Sequence, residues 1–567
     1  MIKNIIALIN NKYFTFLLFS VVFFFVLFLN INYVGIGDGA EFRAEIAREM
    51  MAENNYLIPT LGGQYKLTKP PIYYDYLMLF YKTLGGPSLW TARFSSMIAS
   101  FLIILLLFIY IKRYLKLDHP YLFAFLLLFQ PLYFYYSRRV ELDIFLTLEI
   151  LTMFMALKLY MDLNIRWLKI FAWIILAITF FTKGPIIFLF AGSTLLFYFI
   201  FNGKEKTIDI IKKLWDPWGF LLCISIFMAF FVYYWGIRDI YLKTGIHDID
   251  KRFPLATYLR KPWLLLFNFF IKNVVQVLFY LFPTSLFIPF ALKIKDKNYQ
   301  IIKIITLGIL FSFLPFSEIH NNYFVPLIPF LCLLIVKAYE EEPKIYSNKR
   351  GRLKNKMTEI HFGKSIVTDI LQWLSFLIII ILNLIFFILS KIYGSFVFYT
   401  FLMFSILYVH LIFTKKKKLL SYVIVLGILN IATVIFIYPL DISNEKLSFY
   451  QQVKQDFAVE SSTKLYAITR TRASAAFPLQ KKAIFIKNKP DFIPILKKEK
   501  EAFVIIGRPT VWNFLINHPD IVVVKKKQFT SHIEKNLYPK IKLDKIPFIK
   551  LRNQFLVFAL LKSRETL

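Results

Sequence analysis

The chain has 567 residues, of which 58% are hydrophobic and 19% aromatic, and its 69 Lys plus Arg against 35 Asp plus Glu give a formal net charge of +34. So apolar a composition excludes a disordered chain and lies above the roughly 45–50% typical of soluble enzymes. A nucleic-acid binder would account for the charge but not for a mean hydropathy of +0.58, whereas a polytopic membrane protein with its charges in the loops accounts for both.

A membrane helix needs about 20 mostly apolar residues, and about 13 such runs are predicted. They lie near 14–32, 93–111, 119–137, 143–161, 167–182, 185–202, 217–236, 265–292, 301–316, 323–339, 366–390, 395–413 and 419–439. The first run is long enough to span and lacks a small-residue cleavage site, so it reads as a retained helix. Cys223 and Cys332 sit inside apolar runs and read as buried small hydrophobes.

Loop charge sets the orientation. With Lys3 and Lys12 cytoplasmic, the basic loops alternate: Lys112, Arg113 and Lys116; Arg166 and Lys169; Lys204, Lys206, Lys212 and Lys213; Lys293, Lys295 and Lys297; Lys344 to Lys356; and Lys415 to Lys418. An odd number of spans then places the C-terminus outside. Two outer segments are long, 33–92 and the tail 440–567. The expected division is a transmembrane domain over 1–439, including loop 33–92, and a soluble periplasmic domain over 440–567.

After the first span the chain reads Gly35-Ile-Gly-Asp38-Gly-Ala-Glu41-Phe-Arg-Ala-Glu-Ile-Ala-Arg-Glu-Met50. Phe42, Ile46 and Met50 recur every four residues, so a helix is predicted from Ala40. Asp38 stands at its start, where a carboxylate caps free N–H groups, and Glu41 lies one turn on. On helix statistics alone Asp38 is a cap and the rest a solvated amphipathic helix. Gly62-Gly63 reads as a turn, and Pro70-Pro71 as an extended entry to a helix that holds Lys69 on stiff backbone.

Further along, Arg138-Arg139-Val-Glu141-Leu-Asp143 lies at the outer end of the third span, with Asp143 readable as a helix cap. Thr182-Lys183-Gly184-Pro185 joins spans five and six and reads by itself as a tight turn with a snorkelling Lys. The outer loop 237–264 carries Lys251, Arg252, Arg260 and Lys261, which suit a phosphate or anionic headgroups equally. His320-Asn-Asn-Tyr323-Phe-Val-Pro326 opens the tenth span. In the tail, Lys464–Thr469, Ala483–Ile486, Phe503–Ile506 and Ile521–Val524 read as short strands separated by polar helical stretches, a small α/β domain.

The ordered set Asp-x-x-Glu, Ala-Glu-Ile-Ala-Arg-Glu-Met, Ile-Pro-Thr-Leu-Gly-Gly and Lys-Pro-Pro resembles the first periplasmic loop of lipid-A aminoarabinose transferases and protein O-mannosyltransferases. The likeness is dense over about 35–95, ending in Trp90-Thr-Ala-Arg93-Phe. It implies a mainly α, polytopic membrane protein of the GT-C type with an α/β extracytoplasmic tail. It also implies an integral-membrane glycosyltransferase using a polyprenyl-phosphate sugar donor. Asp143 corresponds to the family's second acidic residue and Thr182–Pro185 to its Thr-Lys-Gly-Pro. His320 and Tyr323 match a stretch with a basic residue before Tyr-x-x-Pro. Thr68 stands where aminoarabinose transferases have Glu, and His320 replaces Lys or Arg, which leaves the sugar, the acceptor and a divalent metal open.

Displacing a lipid phosphate calls for fixed cations and, for a hydroxyl acceptor, a general base. The expected catalytic residues are Asp38, Asp143 and Glu41. The expected substrate-binding residues are Lys69, Arg138, Lys183, Arg252, Arg260, His320 and Tyr323. No His/Cys cluster supports zinc, and no metal is assigned. The expected partners are the lipid-linked donor, a lipid or protein acceptor and membrane lipids, with no nucleic acid. The expected place is the outer face of a bacterial inner membrane. A transporter or flippase would put charges near the midplane, often in repeated halves. An O-antigen-type polymerase or ligase would lack the early Asp38 to Lys69 set.

Overall fold

A backbone in lipid must satisfy its own hydrogen bonds, and helices do so within one segment. The structure is a computed structural model that describes residues 12–29, 31, 40–67, 69–118, 120–235, 274–280, 285, 288–314, 316, 320–347, 423–424, 427–428, 430–431, 442–457, 464–468, 479, 483–486, 490–506, 509–528 and 557–563. The chain divides into two compact units, Met1–Leu27 with Ser96–Ala432, and Phe28–Ser95 with Thr433–Leu567.

The elements begin with α1 (Lys12–Phe28), α2 (Ala40–Ala52), strands β1 (Thr60–Leu61) and β2 (Gln64–Tyr65), α3 (Ile72–Thr83) and α4 (Leu89–Tyr110). They continue with α5 (Pro120–Phe129), α6 (Pro131–Ser137), α7 (Leu142–Leu163), α8 (Arg166–Lys183), α9 (Ile186–Asn202), α10 (Lys204–Leu214) and α11 (Pro217–Tyr234). Then come α12 (Val275–Tyr280), α13 (Ile288–Leu292), α14 (Lys297–Phe311), a 3₁₀ turn (Asn321–Leu327) and α15 (Ile328–Ser347). The last elements are α16 (Ile442–Asp456), β3 (Leu465–Ala467), β4 (Ala483–Phe485), α17 (Phe492–Glu499), β5 (Glu501–Ile506), α18 (Pro509–Ile516), β6 (Ile521–Gln528) and β7 (Val557–Ser563).

Among the described residues three helices are long and apolar enough to cross a membrane, Leu89–Leu115, Leu142–Leu163 and Asn321–Glu340. A pair bent by 70°, Lys204–Leu214 with Pro217–Val232, would make a fourth. Phe16–Phe28, Pro120–Phe129 and Ile186–Asn202 are apolar but shorter. The expected runs at 366–390 and 395–413 lie outside the described residues, as does most of 419–439. The run at 119–137 is two helices rather than one. Pro131 has no N–H to continue the ladder, and Gln130 turns extended at φ −59°, ψ 124°. The carbonyl of Phe129, orphaned by this break, accepts from Asn430 Nδ2 at 2.8 Å.

In the second unit, α2 carries its apolar stripe inward, with Ile46 and Met50 fully buried. Its polar face is buried too: Glu45, Arg48 and Glu49 are at most 8% exposed. The solvated face expected from the pattern is therefore replaced by internal pairing. Arg48 grips Glu45 through two bonds of 2.8 and 2.6 Å. Glu49 accepts from the backbone N–H of Gly62 at 2.8 Å and of Gly63 at 3.4 Å. Those glycines form the two-residue turn of the β1–β2 hairpin, at φ 62° and 74°. A turn with both central φ positive follows the twist of the strands it joins, and glycine enters it without strain.

The tail forms a five-stranded sheet of order β4-β3-β5-β7-β6. β3 pairs in parallel with β4 and β5, whereas β7 is antiparallel to β5 and β6. Both faces are covered. Leu465, Ala467, Phe503 and Ile505 pack with Phe449, Tyr450 and Val453 of α16. Tyr466, Ala502, Val504 and Ile506 pack with Phe492 and Leu496 of α17 and Trp512 and Leu515 of α18. Four of these strands coincide with the runs read from sequence. The fifth, β7, was not expected, yet it occupies an interior position.

Candidate active site

The hairpin of α7 and α8 brings the first turn of one helix beside the last turn of the other. Asp143 sits in the first turn of α7 and is fully buried. Lys183 is the last residue of α8, ended by Gly184 at φ 83°, and is 9% exposed. The Lys183 ammonium donates to Asp143 Oδ1. Asn322, in the 3₁₀ turn before α15, donates from Nδ2 to Asp143 Oδ2 at 2.5 Å, and the same amide lies 3.3 Å from Glu141 Oε1. Both oxygens of Asp143 are thus engaged.

Tyr323 provides the floor. Lys183 Nζ stands 3.9 Å from its ring centroid, close enough for a cation–π contact. The Tyr323 ring stacks on Phe313 at 6.0 Å and meets His320 edge-on at 5.9 Å. Thr182, beside Lys183, donates to Glu149 Oε1 at 2.6 Å. Two consecutive residues at the end of α8 therefore hold two carboxylates of α7. A buried ammonium whose position is fixed by the Asp143 carboxylate and the Tyr323 ring, among its contacts, is suited to stabilise an anion brought beside it.

The other expected residues are placed as follows. Arg138 is 1% exposed and turns inward, donating from Nη1 to the carbonyls of Val26 and Leu27 at 2.8 and 2.7 Å. It thereby caps the C-terminal end of α1, where unsatisfied carbonyls carry the negative end of the helix dipole. Arg139 is partly exposed instead, with its guanidinium over the Tyr135 ring at 4.6 Å. Lys69 is partly buried, and α3 begins just past Pro70-Pro71, with Pro71 at its N-cap. Asp38, Arg252 and Arg260 lie outside the described residues, and Glu41 is described only by its helical backbone. Asn322 and Glu149 were not singled out from sequence, and Arg139 and Glu141 entered only as members of the motif that carries Arg138 and Asp143. Asn322 had one signal, its place between His320 and Tyr323.

In α2 and α3, burial governs the titration of one carboxyl each. Burial raises Glu45 from 4.5 to about 7, against the lowering pull of Arg48. Burial likewise raises Asp75 to about 7, opposed by Lys82.

The structure of ArnT from Cupriavidus metallidurans bound to undecaprenyl phosphate superposes with a TM-score of 0.70 at 15% identity. The match covers 96% of this chain and 97% of that one. The same protein in its apo state gives 0.68 over the same shares. The fold is that of ArnT. Residues 68–235 match the family described as dolichyl-phosphate-mannose-protein mannosyltransferase. That stretch contains Lys69-Pro-Pro, Arg138 to Asp143 and Thr182 to Pro185, three of the motifs that carried the resemblance. An uncharacterised protein of Aquifex aeolicus (strain VF5) is 25% identical over 334 residues, 56% of this chain. The aligned region spans 62% of that relative's length.

Proposed function

We propose that the chain is an integral-membrane glycosyltransferase that moves a sugar from a polyprenyl-phosphate donor to a lipid or protein acceptor. The observation that carries this reading is the buried Lys183–Asp143–Asn322 cluster above Tyr323, set in an ArnT-type fold. The undecaprenyl phosphate bound by the Cupriavidus ArnT supports a lipid phosphate as the anion.

Lys183 meets the phosphate and stabilises the charge that grows on it as the glycosidic bond breaks. Asp143 is a positioning residue: with both oxygens already accepting, it orients Lys183 rather than taking a proton from the acceptor. That proton falls to Asp38, the other carboxylate of the sequence motif, when the acceptor is a hydroxyl. Direct attack on the anomeric carbon inverts it and releases polyprenyl phosphate. Arg139, more accessible than Arg138, joins Lys69, Arg252 and Arg260 as a phosphate contact. No residue set is assigned to a divalent metal, which the sequence leaves open, and transfer rates measured with and without EDTA decide whether one is used.

The site faces the outer side of a bacterial inner membrane, with the N-terminus cytoplasmic and residues 440–567 forming a periplasmic domain. The test is purified protein given radiolabelled polyprenyl-phosphate sugars and a lipid or peptide acceptor. Labelled acceptor is expected from the wild type and not from Asp38→Asn. Solute uptake into liposomes with no transfer would overturn the enzyme reading.

A further inference from the structure

Helices α7, α8, α9 and α14 enclose a cavity of about 520 Å³, within the range of small-ligand sites. Its walls are apolar, with Phe154 and Leu157 on α7, Leu176 on α8, Ala191 and Leu195 on α9 and Ile301 on α14. Polar groups gather at one end, where Asn202 closes α9 and Lys297 and Asn298 open α14. Part-way to the other end, which reaches Ile187, Phe190 and Ile309, the antiparallel helices α9 and α14 touch. There Ser193 donates to the Gly308 carbonyl at 2.6 Å, and Thr194 leaves no room for a Cβ at Gly308.

The mouth is remote from the candidate active site. Lys158, on its rim, lies fifteen residues along α7 from Asp143, roughly 22 Å at 1.5 Å per residue. Beside it runs α10, an amphipathic helix bent by 70° from α11. Ile210 and Leu214 of α10 line the cavity, while Lys204, Lys206, Lys212 and Lys213 are exposed. A basic helix with an apolar face lies at the interface of a membrane and attracts anionic lipids. Lys297 is exposed at the same mouth.

We propose that this cavity is a binding site for an anionic phospholipid, with one acyl chain in the space bounded by α7, α8, α9 and α14 and its phosphate among Lys297 and the lysines of α10. The walls are mostly apolar, with the hydroxyls of Tyr110, Thr194 and Tyr198 among them, so they offer a polar metabolite few partners. An acyl chain suits the walls, and the cationic mouth selects the headgroup. The site goes beyond the transferase reading and does not depend on it, because its test reads lipid retention rather than catalysis.

The test reconstitutes the full chain with equal phosphatidylglycerol and phosphatidylcholine, removes loose lipid, and counts retained molecules by native mass spectrometry. The wild type is expected to retain one phosphatidylglycerol. Lys297→Glu, at an exposed position that folding does not need, should cut the preference for it by about fivefold or more. Ala191→Phe, which projects a ring into the cavity and narrows it, should weaken retention of the lipid. Equal retention of both lipids by wild type and Lys297→Glu would overturn the proposal. One-for-one displacement by undecaprenyl phosphate would also overturn it, by making the cavity part of the donor's path.

Discussion

Lys183 and Asp143 show what a buried pair demands of its partners. Removing one member leaves an uncompensated charge, at a cost of about 3–5 kcal/mol. Lys183→Met should therefore destabilise the protein by that order, and Lys183→Met with Asp143→Asn by clearly less than the sum of the single variants. Thermal melting of the four proteins in one detergent checks this, and additive losses would contradict the pairing. Lys183, Asp143 and Tyr323 were legible in the sequence because they sit in short motifs at span ends. Asn322 was not, since an amide in a turn has no periodicity to mark it. The roles of Arg138 and Arg139 were not legible either. They are adjacent and chemically identical, and only the closing of α6 onto α1 decides which guanidinium turns inward.

α2 and the β1–β2 hairpin form one device, with Glu49 holding the Gly62-Gly63 turn ahead of Lys69. Gly63→Ala should cost about 1–2 kcal/mol, because a side chain at φ 74° clashes with the backbone. A shift of the melting midpoint reads that loss. Glu45 adds a pH dependence. Its folded pKa is raised from 4.5 to about 7, so the folded state binds the proton more tightly than the unfolded one. Its contribution is fully present below about 4.5 and is lost as pH rises through about 7. Asp75 acts in the same direction. Melting midpoints across that window should fall with rising pH in the wild type and fall less in Glu45→Gln. The helix over Ala40–Ala52 was legible from its four-residue stripe. The burial of its polar face was not, because pairing of Glu45 with Arg48 depends on what packs over them.

At the scale of the molecule, the helical class followed from apolar runs, and four strands of the tail from short β-branched stretches. β7 escaped because Val557-Phe-Ala-Leu-Leu is uniformly apolar in sequence and so lacks the alternation that marks a half-exposed strand. Charge in alternate loops predicts a cytoplasmic N-terminus and an outer C-terminus. A tag at Leu567 should be labelled only from the outer side in intact spheroplasts, and labelling only after lysis would contradict that topology. If Lys183 holds the phosphate of a polyprenyl-linked sugar, as proposed, the single-turnover rate of sugar transfer from radiolabelled undecaprenyl-phosphate sugar should differ between wild type and Lys183→Met. Transfer is expected from the wild type, with a loss of about 10²–10³-fold in the folded variant, as when one fixed donor to a developing anion is removed. Equal rates in the two proteins would contradict that role.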